Sequence, residues 1–237
     1  LIFNQNKCGG CGRCLDLCPA SANSLEEGGI RMDFAHCTGC GKCIASCVTD
    51  ARRISGEQYT VSELFKEVQK HALFFRRNSG GVSLSGGEVL LQSEFASDFL
   101  RVCRANYLHT TIETSGYAEW EKFESVARYC DLVFFDLKIF DAGIHKKYTG
   151  VDNKIILQNI EKLCSLAKAK GSPNVIIRRL IIEGVTAEED IIQAAKFVNE
   201  LPVHPEINLL PFHNFGAAKY AMCGREYQME EKALMGA

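Results

Sequence analysis

Cys8-Gly-Gly-Cys11-Gly-Arg-Cys14-Leu-Asp-Leu-Cys18 returns 29 residues later as Cys37-Thr-Gly-Cys40-Gly-Lys-Cys43-Ile-Ala-Ser-Cys47. Both copies read C-x2-C-x2-C-x3-C, and a hairpin-like stretch, Gly28-Gly29-Ile30-Arg31-Met32, lies between them. The repeat holds all but four of the chain's 12 cysteines. The others, Cys103, Cys130, Cys164 and Cys223, share no ligand spacing. A secreted disulfide framework is the ordinary reading of a cysteine-rich segment. The chain opens without a basic, apolar, small-residue signal sequence. The thiols are therefore expected in a reducing cytoplasm, ligating metal.

The doubled spacing is the bacterial ferredoxin run, in which three cysteines hold one cluster and the fourth crosses to the other. Tight turns at Gly9, Gly10, Gly12, Gly39 and Gly41 would let three thiolates converge and aim backbone N–H groups at the sulfides. The expected ligands are Cys8, Cys11, Cys14 and Cys47 for one [4Fe–4S] cluster, and Cys37, Cys40, Cys43 and Cys18 for the other. Paired zinc sites are the alternative, but zinc has no use for a doubled four-cysteine run. Cys18 is followed by Pro19, whereas Cys47 is followed by Val48. The proline mainly shapes the turn, so the ligand set should survive. Residues 1–54 are expected to form this ferredoxin-like domain. Three of the four later cysteines fall on helical patterns, and the four read as buried free thiols.

From residue 55 to 237 the texture changes. Helical patterns cover about 61–75, 93–106, 119–129, 153–170 and 186–200. Ser93-Glu94 suits a helix start, and Thr186-Ala-Glu188-Glu189 resembles a capping box. Between them lie apolar runs at 82–85, 108–114, 132–139, 175–182 and 207–210, nearly continuous and rich in β-branched and aromatic residues. Such runs fit strands buried on both faces, and their alternation with helices fits a parallel sheet of βα units. Five strands are too few for a closed eight-fold barrel. With 27 Lys+Arg against 29 Asp+Glu, the net charge of −2 offers nothing to nucleic acid or an anionic membrane. No apolar run approaches the roughly 20 residues that span a bilayer. A composition of 46% hydrophobic and 24% charged residues excludes wholesale disorder.

In α/β sheets the chemistry gathers beyond the C-terminal ends of the strands. Here those ends read Ser85-Gly86-Gly87-Glu88, Glu113-Thr114-Ser115-Gly116, Asp136-Leu137-Lys138, Glu183-Gly184 and Pro211-Phe212-His213. Arg178 and Arg179 interrupt the fourth apolar run. Each group alone could be a turn or a solvated loop. Their joint appearance at equivalent strand ends points to one polar rim.

The stretch Gly80-Gly-Val-Ser-Leu-Ser-Gly-Gly-Glu-Val-Leu-Leu-Gln-Ser-Glu-Phe95 resembles the radical S-adenosylmethionine (SAM) enzymes that activate glycyl radical enzymes, the pyruvate formate-lyase activating enzyme-like family. Glu113-Thr-Ser-Gly116, Asp131-Leu-Val-Phe-Phe-Asp-Leu-Lys138, His145 with Thr149-Gly-Val-Asp-Asn153, and Leu209-Leu-Pro-Phe-His213 with Gly216 and Lys219 match further. The resemblance covers essentially the whole chain. It implies a partial (βα)6 barrel, here without its first strand. It also implies a site-differentiated [4Fe–4S] cluster that cleaves SAM, and a 5′-deoxyadenosyl radical that takes hydrogen from a backbone glycine of a partner glycyl radical enzyme. By matched positions, Gly86, Gly87 and Glu88 would engage the SAM amino group. Asp136, Leu137 and Lys138 would lie at its methionyl and ribose region, and His213 at the nucleoside side. Glu113 and Thr114 would hold a monovalent cation. A zwitterion wants an anion near its ammonium and a cation near its carboxylate, and Glu88 and Lys138 carry those charges. A flavodoxin or ferredoxin reductant and a cytoplasmic, anaerobic setting are implied too. The enzyme type would be that of the [formate-C-acetyltransferase]-activating oxidoreductases, although the two-cluster insert leans toward other partners such as choline lyase, diol dehydratase or decarboxylase systems.

The chain departs from the family in one respect that matters. The C-x3-C-x2-C run that holds the SAM-cleaving cluster is absent: Ser21 and Asp50 stand where a third cysteine would follow Cys14/Cys18 and Cys43/Cys47. Glu183 also replaces a common proline before Gly184. Truncation at both ends is the expected cause, with a helix begun at Met229 cut short, and no catalytic residue can be named. The chain as it stands is expected to be inactive. The competing reading is an electron-transfer ferredoxin-type protein whose barrel only binds a partner. After anaerobic reconstitution the chain should carry about eight irons, four per cubane. Substoichiometric iron with two bound zinc ions would refute the cluster assignment.

Overall fold

The computed structural model describes residues 1–78, 80–227 and 229; the helix expected from Met229 onward lies outside the described residues. The chain divides into two compact units. One combines Leu1–Gln58 with the segment from His213, and the other is Tyr59–Phe212.

In the first unit the sequence repeat becomes a backbone repeat. Strands β1 (Ile2–Phe3) and β4 (Arg52–Arg53) pair antiparallel, as do β2 (Asn23–Glu26) and β3 (Gly29–Met32). Helices α1 (Arg13–Asp16) and α2 (Lys42–Ala45) each start from a left-handed glycine, Gly12 at φ 73° and Gly41 at φ 76°. Each buries its cysteine, Cys14 or Cys43. After the fourth cysteine the chain turns identically in both copies. Ser21 N–H donates to the Cys18 carbonyl at 3.1 Å, and Asp50 N–H donates to that of Cys47 at 3.4 Å. The turn therefore survives the exchange of Pro19 for Val48.

The second unit runs α3 (Val61–Gln69), α4 (Ala72–Arg77), β5 (Gly81–Leu84), α5 (Ser93–Ala105), β6 (His109–Thr114), α6 (Trp120–Ala127), β7 (Leu132–Asp136), α7 (Ala142–Thr149), α8 (Lys154–Lys170), β8 (Asn174–Ile181), α9 (Glu188–Asn199) and β9 (Glu206–Pro211). The sheet is all parallel in the order β5-β6-β7-β8-β9, each strand beside the next in sequence. That is the arrangement successive βα units produce. A short helix, α10 (Ala217–Met222), follows and belongs to the first unit. Among the described residues no helix is long and apolar enough to cross a membrane.

The pleat sorts the strand residues. Val133 and Phe135 of β7, and Val175, Ile177 and Arg179 of β8, are buried, while Phe134, Asp136, Ile176 and Arg178 alternate with them at half-buried positions. The buried set packs with Phe99, Leu100, Phe123, Ile160 and Leu163 from the helices. Buried polar side chains then pin the loops above the strand ends. Asn159 of α8 donates to the carbonyls of Gly116 and Ala118, both at 2.8 Å. Asn153 donates to those of Ile139 and Phe140. Asp190 of α9 accepts the N–H groups of Phe140 and Asp141 and pairs with the buried Arg179.

Three local expectations change. The helix expected at 61–75 breaks at Lys70–His71 into α3 and α4. The capping box expected at Thr186 is not formed: α9 starts after Ala187 without a side-chain cap, because the Thr186 hydroxyl is engaged by Ile182 N–H and the Leu180 carbonyl. A capping box does form at Thr60 and Glu63. Helix α7 was not anticipated, yet Asp141 caps it through Ile144 N–H at 2.7 Å and Gly150 ends it at φ 86°.

Of the four later cysteines, Cys103, Cys130 and Cys164 are buried in the second unit, whereas Cys223 caps α10 and is exposed, contrary to a uniformly buried set. Burial pushes Cys103 and Cys164 up to about 11. Burial, then the Asp131 charge, pushes Cys130 up to about 12. The unfolded chain loses these protons near 9.0, while the folded chain keeps them to higher pH. The folded state's proton excess makes stability fall as pH rises through that window. Unfolding midpoints in urea should drop between pH 9 and pH 11, and Cys130→Ala should flatten the drop; an unchanged slope would show that this thiol does not contribute.

Candidate functional site

Strands β5, β6 and β7 bring their C-terminal ends, and β8 its Arg178, to one cleft of roughly 380 Å³. Seven sequence candidates meet there: Gly86, Gly87, Glu88, Glu113, Thr114, Asp136 and Lys138. Ser85, Ser115 and Arg178 complete its wall. Leu137 does not face the cleft. It is buried, its N–H bonded to the Arg178 carbonyl and its own carbonyl to Arg179. His213 falls in the first unit, exposed and stacked on Phe215 at 4.5 Å.

Glu88 is held on both oxygens. Oε1 accepts the Thr114 hydroxyl at 2.6 Å and Leu90 N–H at 3.1 Å. Oε2 accepts the Ser115 hydroxyl at 2.6 Å and Ser115 N–H at 2.9 Å. The Thr114 hydroxyl also accepts Gly116 N–H at 2.9 Å. Gly116 takes φ 69°, and a methyl group there would run into the Phe135 ring. The loop after β5 is thus locked to the end of β6. The edge it presents is bare: Gly86 sits at φ 119°, and a Cβ on Gly86 or Gly87 would meet nothing within 4 Å.

Arg178 supplies the opposite charge. Its Nη1 donates to Glu113 Oε2 at 3.0 Å and its Nε to Asp136 Oδ1 at 2.8 Å, and the guanidinium lies 5.3 Å from the Phe134 ring centre. Burial opposes its charge, but the bonds and charges of Asp136 and Glu113 outweigh burial and raise its pKa. Glu113, the expected cation ligand, therefore already faces a fixed guanidinium, and Thr114 is committed to Glu88. Glu88, Glu113 and Asp136 face Arg178 and Lys138 across the cleft, and Lys138 is the exposed cation of the pair. Sequence reasoning gave Arg178 and Ser115 no role. The available signal was an arginine within an apolar strand, on the half-buried parity of β8 and opposite Asp136.

In the other unit, Cys18, Cys37, Cys40 and Cys43 line a single small cavity, the set expected for one cluster. Backbone N–H groups point at sulfur, Ala22 to Cys18 at 3.3 Å and Gly39 to Cys37 at 3.4 Å. Burial opposes ionisation of Cys47, but the Thr49 hydroxyl and the N–H groups of Thr49, Ala51 and Arg52 outweigh it and lower its pKa. Cys14 is shifted up, by burial first, with the charge of Arg52 opposing. Cys8 and Cys47 pack on the small core that contains Cys14, while Cys11 is exposed. Among the described residues no three His, Cys, Asp or Glu converge as for a single ion. Thiols spread around a cavity and met by N–H donors suit a cubane, whose sulfides need such donors. The bare glycine edge facing paired charges suits a zwitterion.

Thr114→Val should cost about 1–3 kcal/mol of stability in urea unfolding, because it leaves Glu88 and Gly116 N–H short of partners. A change of only a few tenths would show that the lock is not under load.

Comparison with known proteins agrees with both units. The family described as the radical SAM superfamily matches residues 36–198, and the 4Fe-4S dicluster domain matches residues 1–51. The trans-4-hydroxy-L-proline dehydratase activating enzyme of Clostridioides difficile is 38% identical over 234 residues, covering 98% of this chain and 76% of that protein. The choline trimethylamine-lyase activating enzyme of Oleidesulfovibrio alaskensis is 35% identical, covering 97% and 75%. A crystal structure of a domain of pyruvate-formate lyase-activating enzyme from Bacteroides vulgatus superimposes with a TM-score of 0.52 at 39% identity, over 57% of this chain and 82% of that one. The chain therefore belongs to the radical SAM superfamily, among the activating enzymes of glycyl radical enzymes, with a [4Fe–4S] dicluster domain ahead of its parallel sheet.

Proposed function

We propose that this chain works in an activating enzyme that binds SAM at the strand-end cleft and installs a radical on a backbone glycine of a partner enzyme. The observation that carries this reading is the cleft itself. A bare Gly86-Gly87 edge, a locked Glu88, and Arg178 between Glu113 and Asp136 all face the same space. When bound, SAM and its cluster supply the hydrogen-abstracting chemistry.

The chain's residues bind and orient. The Gly86-Gly87 backbone lies open to the SAM ammonium, and Glu88 holds that edge in place. Its oxygens already accept four bonds, so it acts chiefly as the anchor of the edge and lends the ammonium a long-range negative charge. Arg178 offsets one of the two negative charges of Glu113 and Asp136, which weakens their repulsion of the ligand's carboxylate. Lys138 is the cation free to reach that carboxylate. His213 is proposed for the nucleoside side, and Glu113 with Thr114 for a monovalent cation, which would compete with Arg178. Residues 1–54 would handle electrons and residues 55–237 SAM.

The finer assignments are proposals. Their partners differ although their identities to this chain are similar, so a [formate-C-acetyltransferase]-type partner is one outcome among several and the two-cluster domain favours another. Flavodoxin or ferredoxin is proposed as the electron donor, and the cytoplasm as the location. Because the 237 residues contain no C-x3-C-x2-C run, we propose that on their own they do not cleave SAM.

The decisive assay mixes candidate glycyl radical enzymes anaerobically with reductant, SAM and this chain extended by the C-x3-C-x2-C segment of a relative. A glycyl radical EPR signal together with 5′-deoxyadenosine is expected. SAM that stays intact with every partner would refute the reading. In the same protein, Lys138→Ala should weaken SAM binding by about 1.5 kcal/mol, roughly tenfold. Unchanged affinity would place Lys138 outside the site.

A further inference from the structure

Arg52 stands five residues after Cys47, where the first copy of the repeat has Asn23 five residues after Cys18. The equivalence holds in the backbone. Ala22 and Ala51 are both buried, and Ser21 and Asp50 share positive φ values of 49° and 52°. Asn23 pairs with Met32 across β2–β3, and Arg52 pairs with Phe3 across β1–β4. One copy thus places a neutral amide where the other places a guanidinium.

That guanidinium is 2% exposed. It lies 4.2 Å from the Phe3 ring centre, and Nη1 points at Met32 Sδ at 3.2 Å. Nη2 is buried and has no hydrogen-bond partner, and among the described residues no carboxylate pairs with Arg52. By contrast, Arg178 and Arg179 each meet a carboxylate. An unpaired buried charge is costly, so its countercharge has to come from elsewhere. Arg52 lines the cavity of Cys18, Cys37, Cys40 and Cys43. A [4Fe–4S] core with four thiolates is an anion in both oxidation states, and one-electron reduction adds a further negative charge.

We infer that Arg52 is the built-in countercharge of the cluster held by Cys18, Cys37, Cys40 and Cys43, and that it makes this cluster the more easily reduced of the two. Net charge around a cluster is one of the levers on its potential. Lys42 also lines this cavity, but Arg13 holds the equivalent place in the first copy, so that pair cancels. Asn23 lines the same cavity, donates from Nδ2 to the Cys14 carbonyl at 2.9 Å and brings no charge. The charge of Arg52 also reaches Cys14 of the other set, so the effect is a difference between two clusters. An external low-potential one-electron donor loses one electron, the cluster gains it, and no bond changes.

The inference rests on the two-cluster reading and is tested apart from it. The full chain is reconstituted anaerobically, its iron is counted, and it is titrated with dithionite under EPR. Two one-electron waves are expected. Arg52→Gln should lower the upper wave by at least a tenfold change in the reduction equilibrium, about 59 mV for one electron, and move the lower wave less. Arg52→Lys should keep the upper wave near its place, and Asn23→Arg, at a position that lines the same cavity, should raise the upper wave further. Arg52→Gln with full iron that leaves the upper wave unmoved, or moves both equally, overturns the inference. Should Arg52→Gln lose iron, Asn23→Arg decides: an unmoved upper wave overturns it. Fewer than about eight irons in the unaltered chain sinks the two-cluster reading first.

Discussion

Glu88 has both carboxylate oxygens engaged, by Thr114, Ser115 and Leu90, and the geometry of the strand-end cleft hangs on that arrangement. The loop after β5 has no helix or strand of its own at Gly86 and Gly87. Left alone, two exposed glycines would sample many conformations. A half-buried carboxylate that accepts four bonds restricts them, because withdrawing it would strand several donors at once. The constraint passes from Thr114 to Gly116 N–H, and from the Gly116 carbonyl to Asn159 on α8. The exposed Gly86-Gly87 edge is held through the helix layer behind the sheet.

Charge follows the same logic. Successive strand residues face opposite sides of a sheet, so Arg178 and Arg179 part company. Arg178 enters the cleft and is matched by Glu113 and Asp136. Arg179 enters the outer layer, where burial lowers its pKa to about 10, and its partner Asp190 holds the backbone on the way to α7. One arginine sets the field of the site and its neighbour sets the loop that carries Lys138. Arg52 extends the pattern to the other unit, where a buried guanidinium has cysteines around its cavity in place of a carboxylate.

Much of this was legible beforehand. The cysteine spacing proposes two ligand sets, because eight thiols in two registers admit few cluster geometries, and the cysteines of one proposed set line one cavity. The five apolar runs became five neighbouring strands. Other features were hidden for physical reasons. Helix α7 is short and only weakly amphipathic, so its caps Asp141 and Gly150 were its main signal. Thr186 looked like a cap, but a hydroxyl can satisfy the turn before a helix as readily as the helix itself. Cys223 was grouped with the buried thiols, although its helix end leaves it exposed.

By itself the sequence determined the ligand spacing, the parallel alternation and which polar residues end the strands, since these depend on local order and on periods of two and 3.6 residues. Only the tertiary structure decided how those polar groups spend their charges. Glu113 meets Arg178 across 65 positions, and Glu88 meets Ser115 across 27. Pairings of that separation are set by strand register and side-chain parity, which no local pattern specifies.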